Sequence, residues 1–115
     1  MFESSITDDV REKYILLPLD TFHFKAAGRT EVAYCLIENT PIMEMMYVDR
    51  YRDLHNNLVR NYHERNWNYC EDALEHLKGR WGGEVDSFYE LLERRIQDLK
   101  QVVVDESWTG IIDRD

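Results

Sequence analysis

The chain has 115 residues, of which 43% are hydrophobic and 32% charged, and this composition is typical of a single folded domain, residues 1–115. Its 14 Lys and Arg against 23 Asp and Glu give a formal net charge of −9, which disfavours nucleic acid and anionic membranes as partners. No apolar run approaches the ~18 residues of a membrane span, and the first residues show no secretory signal. We therefore expect a cytoplasmic protein.

The two cysteines, Cys35 and Cys70, lie far apart and within apolar patterns. Because there is neither a CxxC pair nor a dense cysteine framework, the sequence predicts two buried free thiols in a reducing compartment. The acidity increases toward the C-terminus, where residues 81–115 carry nine acidic and four basic side chains. Residues 102–115 are therefore expected to form a solvated acidic tail.

Two apolar segments in the first 40 residues, 13–24 and 31–38, predict a β-hairpin. The connection between them contains Gly28, which suits a turn position with positive φ. Pro18 has no amide hydrogen to donate, so the first strand is expected to be kinked there or to lie at an edge.

The first strand of this hairpin is apolar on both faces. Strict alternation places Ile15, Leu17 and Leu19 on one face, and Tyr14, Leu16 and Phe22 on the other. One layer of helices covers only one face, so we expect the other to meet a second copy of the chain or a partner protein. The alternative is that residues 1–12 and 102–104 fold back over the hairpin.

Residues 41–101 predict three antiparallel helices. The first begins near Pro41 with Thr40 as N-cap. Its apolar positions are Ile42, Met45, Met46, Tyr51, Leu54, Leu58 and Tyr62. The second helix has an apolar stripe formed by Trp67, Cys70, Leu74, Leu77 and Trp81. The stripe of the third consists of Phe88, Leu91, Leu92, Ile96 and Leu99.

The sequence also carries signals for where these helices start and stop. Asn68 with Glu71 predicts a capping box at the second helix, and Gly82-Gly83 predicts its end. The third helix is expected to start near Asp86 or Ser87, with Glu90 completing a second capping box.

The helical residues 58–99 resemble a tetratricopeptide-type helical hairpin followed by the first helix of a next repeat. Seven residues stand at positions that the tetratricopeptide pattern reserves for aromatic residues, for the beginnings of helices or for packing between helices. They are Tyr62, Trp67, Cys70, Leu74, Leu77, Phe88 and Leu91. Cys70 stands in place of the family's alanine and Gly82 in place of its proline, and both depart from the pattern. The resemblance implies a helical surface for protein interaction.

Residues 62–110 also resemble the helical C-terminal extension found after the catalytic domain in some class III adenylate cyclases. The shared motif residues are Tyr62, Arg65, Trp67, Asp86-Ser87-Phe88, Arg95-Ile96, Leu99 and Ser107-Trp108-Thr109-Gly110-Ile111. The two metal-binding aspartates of the catalytic domain have no counterpart here, so the resemblance implies an interaction or regulatory module. The whole chain is similar to small proteins encoded by phages of marine cyanobacteria, which implies a host cytoplasm and no particular activity.

Two groups of side chains are candidate chemical sites. The first consists of the four histidines His23, His55, His63 and His76, which show no zinc-binding spacing and are expected to be surface or capping residues. The second consists of the carboxylates Glu71, Glu75, Glu90 and Glu93. Their placement on adjacent helices resembles helical nucleotide pyrophosphohydrolases, which bind magnesium through acidic clusters. Because Glu75 points away from the apolar stripe, a solvated surface is favoured.

We therefore predict an α+β domain in which an N-terminal β-hairpin packs on three antiparallel, tetratricopeptide-like helices. The expected function is non-enzymatic protein–protein interaction or regulation, as a homodimer through the hairpin or by docking a partner on the helical face. No cofactor or metal is expected. The candidate partner-binding residues are Tyr14, Leu16, Phe22 and Trp108, the last of which either folds back or anchors a partner. The alternative is the magnesium-dependent pyrophosphohydrolase.

Overall fold

The fold is α+β, and the computed structural model describes residues 1–38, 48–81, 83–102 and 108–114. A short 3₁₀ turn, Glu3–Ser5, precedes the first helix. The strands within these ranges are β1 (Tyr14–Phe24), β2 (Arg29–Glu38) and β3 (Ile112–Arg114). The α-helices within them are α1 (Asp8–Lys13), α2 (Val48–His63), α3 (Trp67–Leu77) and α4 (Asp86–Lys100).

The predicted hairpin is confirmed by β1 and β2, which pair antiparallel from Tyr14 opposite Glu38 to Phe24 opposite Arg29. Gly28 in the turn has a φ of 63°, a left-handed conformation that glycine adopts without steric cost. The strand order is β2-β1-β3, so β1 is central beside residues 22–24, whereas around Pro18 it pairs with β2 alone among the described residues. β3 joins it in parallel beside residues 22–24.

A β-bulge interrupts the hairpin between Pro18 and Thr21, where the register shifts. The expected kink at Pro18 is therefore present. The extra residue in β1 reverses the alternation of its side chains beyond this point. Phe22 consequently lies on the same face as Ile15 and Leu17, and the prediction that it shares a face with Tyr14 and Leu16 is wrong.

The helix boundaries differ from the sequence signals. The predicted start at Thr40 and Pro41, together with Ile42, Met45 and Met46, lies outside the described residues. α3 ends at Leu77 and not at Gly82-Gly83, because Gly79 already adopts a left-handed φ of 79° and terminates the helix.

Neither predicted capping box forms. α3 has Asn66 at its N-cap position and α4 has Val85, and neither side chain makes a cap hydrogen bond. The carboxylate of Asp86 instead accepts a hydrogen bond from the Gly79 amide at 2.8 Å, which ties the end of α3 to the start of α4.

One hydrophobic core joins the inner face of the hairpin to the helices. The hairpin contributes Ile15, Leu17 and Ile37 to it. The helices and the connection after α3 contribute Leu58, Tyr62, Cys70, Ala73, Leu74, Leu77, Trp81, Val85, Phe88, Tyr89, Leu92 and Ile96. α2 packs on β1 and α3, and α3 packs on α4, so the helices cover one side of the sheet.

Candidate functional site

The outer face of the hairpin is the side of β1 and β2 that points away from the helices. The strand register places on it Tyr14, Leu16, Pro18, Thr21, Val32, Tyr34 and Leu36. The side chain of Tyr14 is 38% exposed and the others are half-buried. No member of this face belongs to the core or packs against it. The outer face therefore presents an apolar and aromatic patch that is flanked by Glu38 at one end and by His23 and Thr30 at the other.

The N-terminal segment lies against β2 at the border of this face, with Glu3 and Arg11 near the Tyr34 phenol. The Met1 ammonium donates to the carbonyl of Tyr34 at 3.0 Å, and the Tyr34 amide donates back to Met1 at 2.7 Å. Phe2 pairs with Ala33 in a single antiparallel bridge. Burial, with the nearby charge of Glu3, raises the pKa of the Tyr34 phenol. Residues 1–2 thus protect part of the free edge of β2, whereas residues 103–104 lie outside the described residues.

Phe22 is separated from the other candidate binding residues of the hairpin. Its ring packs edge-on against Phe2, with centroids 5.7 Å apart, and lies 6.3 Å from the ring of Phe24. The guanidinium of Arg114 lies over the same ring at 5.6 Å. The structure thus brings Tyr14 and Leu16 together on the outer face and places Phe22 in an aromatic cluster on the opposite face.

Trp108 folds back onto the helices. Its ring contacts Tyr62 and Trp67, with centroid distances of 5.4 and 5.5 Å. The imidazole Nδ1–H of His63 donates to the carbonyl of Thr109 at 2.5 Å, and β3 follows directly. We call residues 108–114 the C-terminal strap. The prediction of a solvated tail is wrong for this segment, because its aromatic anchor and its strand pairing outweigh its acidic charge.

We expect Gly110→Ala to detach the strap. Gly110 has a φ of 78°, and a Cβ built there would lie 2.8 Å from His63 Nδ1 and 3.2 Å from Trp108. Backbone strain together with this clash should cost about 2–3 kcal/mol and abolish the hydrogen-exchange protection of β3. The matched control is Gly28→Ala, which has a similar φ of 63° and no atom within 4 Å, so it should cost about 1 kcal/mol. Equal melting temperatures for the two variants would contradict this account of the strap.

His55 is fully buried, and the expectation of a surface or capping histidine is wrong for it. Its Nε2 lies 2.6 Å from the carbonyl oxygen of Pro18, and its Nδ1 lies 2.8 Å from the hydroxyl of Tyr89. Since a carbonyl only accepts, Nε2 carries the proton and Nδ1 accepts from the phenol. Burial lowers the pKa of His55 to about 4 and raises that of Tyr89. The imidazole therefore satisfies the backbone carbonyl that the bulge releases.

A second side chain, that of Arg95 on α4, anchors the same bulge. The guanidinium of Arg95 on α4 donates to both carboxylate oxygens of Asp20, at 2.7 and 3.4 Å. His55 on α2 and Arg95 on α4 together fix the point at which β1 changes face. Because His55 has no exposed surface, a substrate cannot reach it. The role of this network is therefore to position the hairpin.

The four carboxylates of the hydrolase hypothesis do not converge on a metal site. Glu71 makes an ion pair with Lys100 at 2.5 Å, and Glu93 makes one with Lys78. Glu75 and Glu90 are exposed. Within the described ranges, no group of three or more His, Cys, Asp or Glu is arranged to hold a metal ion. The paired acids thus serve as links between α3 and α4.

Both cysteines are free thiols, as predicted, but the predicted burial is found only for Cys70. Cys70 is fully buried, and burial raises its pKa to about 11, so it stays protonated near neutral pH. Cys35 is half-buried and packs against the core. Neither thiol has the lowered pKa of a reactive cysteine.

Sequence reasoning missed three features around these sites. The burial of His55 could have been predicted, because positions 55, 58 and 62 have the 3–4 spacing of a buried helical stripe. The start of α1 could also have been predicted, because Thr7 is a favoured N-cap residue. Its side chain accepts a hydrogen bond from the amide of Val10 at 3.4 Å. The three-residue β3 carries no recognisable pattern of its own.

In the described part of the chain, no helix is long and apolar enough to cross a membrane. A comparison of the sequence with protein-family models finds no match. Neither the curated proteins nor the solved structures yield one.

Proposed function

We propose that this chain is a non-enzymatic protein-interaction module that forms a homodimer through the outer face of its hairpin. The observation that supports this most directly is the set of partly exposed apolar and aromatic side chains on that face, none of which packs on the core. Monomeric proteins seldom leave a large apolar surface in water. In a two-fold dimer, the same patch on each copy would cover the other.

A sheet-on-sheet arrangement would suit this surface. Two hairpins packed face to face lie about 10 Å apart, which allows side chains such as Leu16 and Leu36 to interdigitate. The charge of −9 opposes association at low ionic strength, so the dimer should tighten as salt screens the repulsion.

Two tyrosines with equal exposure provide a matched test. Tyr14 on the outer face and Tyr69 on α3 are both 38% exposed. Because each substitution occurs twice in a two-fold dimer, Tyr14→Asp should raise the dimer dissociation constant by about 100-fold. Tyr69→Asp, which makes the same change in charge, should raise it by less than about threefold. Sedimentation equilibrium measures both, and circular dichroism verifies that each variant is folded.

Equal dissociation constants for the two variants would contradict an interface on the outer face. If only Tyr69→Asp weakens dimerisation, the interface lies on the helices and not on the outer face. Either result overturns the assignment of the surface, even if the protein is a dimer.

The helical part is proposed to follow tetratricopeptide-type packing, as the resemblance of residues 58–99 implies. The contact between Tyr62 on α2 and Trp67 on α3, with centroids 6.1 Å apart, and the burial of Cys70 are consistent with it. The helical face is then a second candidate docking surface for a protein partner. The similarity to cyanophage proteins would place the chain in a bacterial cytoplasm.

A further inference from the structure

A surface cleft of about 480 Å³ lies between α2 and the C-terminal part of α3, away from the outer face of the hairpin. The first turns of α2 supply Arg50, Tyr51, Asp53, Leu54 and Asn57 to its lining. The opposite wall consists of His76 and Arg80. The volume falls within the range of small-ligand sites, roughly 300–1,000 Å³.

Two contacts orient the exposed side chain of Arg80 within this cleft. Its Nε–H donates to the carbonyl of His76 at 3.0 Å. Its Cζ lies 5.1 Å from the ring centroid of Tyr51, which is a cation–π contact. These two contacts leave the terminal nitrogens of Arg80 available, and they form no ion pair among the described residues. A side chain that is already restrained loses less entropy when it binds a ligand.

The cleft is locally cationic in a strongly acidic chain. Arg50 also makes no ion pair within the described ranges, so the lining of the cleft carries two guanidinium groups and one carboxylate, that of Asp53. Arg50 and Arg80 are exposed, whereas Lys78, Arg95 and Lys100 are held in ion pairs. A concentration of unpaired cations beside a cavity favours an anionic ligand.

We propose that this cleft binds a small organic phosphate monoester. A phosphate offers three acceptor oxygens and close to two negative charges, which suits two guanidinium groups better than a single carboxylate does. Leu54 and the ring of Tyr51 provide an apolar floor for the body of the ester, and Asn57 supplies a neutral hydrogen-bonding group. The carboxylate of Asp53 repels a bare anion, so it favours a ligand whose organic part lies on that side.

The test is an NMR titration of the full chain at constant ionic strength with three probes: phenyl phosphate, inorganic phosphate and benzyl alcohol. Phenyl phosphate should shift the amide signals of Tyr51, Leu54, Asn57 and His76, and it should bind at least about tenfold more tightly than either other probe. Equal affinity for phenyl phosphate and inorganic phosphate would contradict the apolar floor. Shifts spread over the surface, or none in the cleft, would overturn the site.

Charge-matched variants give the second arm of the experiment. Arg80→Gln should weaken phenyl phosphate binding about tenfold, since it removes the restrained guanidinium. Arg94→Gln makes the same change in net charge on an exposed part of α4 and should alter affinity by less than about twofold. If Arg80→Gln is not folded, Arg50→Gln replaces it with the same expectation. Equal losses for the cleft variant and Arg94→Gln would show a general charge effect and contradict the proposal.

Discussion

Replacing His55 with leucine is expected to lower the free energy of unfolding by about 4 kcal/mol. The substitution leaves the Tyr89 hydroxyl and the Pro18 carbonyl without their partner, and each unsatisfied buried group costs roughly 1–3 kcal/mol. For a domain whose total stability is on the order of 5–15 kcal/mol, this is among the largest effects that a single substitution can have. Urea denaturation followed by circular dichroism measures it.

Two further variants separate the hydrogen bonds from simple loss of packing. His55→Leu combined with Tyr89→Phe removes the unpartnered hydroxyl and should recover about 1–2 kcal/mol relative to His55→Leu alone. His76→Leu replaces an exposed histidine and should change stability by less than about 0.5 kcal/mol. Failure of the double variant to recover any stability would contradict the tyrosine–histidine hydrogen bond.

The same histidine should make the protein sensitive to mild acid. Its pKa is about 4 in the folded chain against an ordinary 6.5, because burial disfavours the imidazolium. The unfolded state therefore binds more protons below pH 6.5, and stability is lost as the pH falls from 6.5 toward 4. The loss from this group should reach about 3 kcal/mol by pH 4.

Unfolding free energies measured at intervals between pH 7 and pH 4.5 test this expectation. The wild-type protein should lose stability steadily over that range, whereas His55→Leu should show a nearly flat profile, since its side chain cannot be protonated. Carboxylates such as Glu31, whose pKa is lowered chiefly by its hydrogen bond with Ser4, add their own losses at lower pH. Parallel profiles for the wild-type protein and the variant would contradict the role of His55.

Local patterns predicted much of the fold. Alternating apolar residues around a glycine turn predicted β1 and β2, and the 3–4 spacing from Cys70 to Leu77 predicted the buried side of α3. Such signals depend on neighbours in sequence, so they are readable without the tertiary structure. The helix ends were less accurate, because Gly79 and Gly82-Gly83 offer competing stops and the tertiary packing selects between them.

The features that sequence did not predict depend on contacts between distant residues. The bulge reverses the face on which Phe22 lies, and its position is fixed by His55 and Arg95, which are far from it in sequence. The docking of the strap rests on Trp108 packing between Tyr62 and Trp67. A three-residue strand such as β3 forms only because these contacts bring it beside β1.

The assignment of the outer face as an interface gives the hairpin a physical role in the proposed function. The bulge network holds β1 so that Ile15 and Leu17 enter the core while Leu16 remains outside. Rigid support from two helices presents the outer face as a preformed surface, which lowers the entropic cost of association. Loss of the network in His55→Leu should therefore weaken dimerisation as well as folding.

Light scattering of the wild-type protein across a dilution series tests the central claim most directly. The account predicts a mass near twice the 13.9 kDa of one chain at high concentration, falling toward the single-chain value on dilution. Addition of salt should shift this transition to lower protein concentration. A single-chain mass at every concentration, with or without salt, would contradict self-association through the outer face.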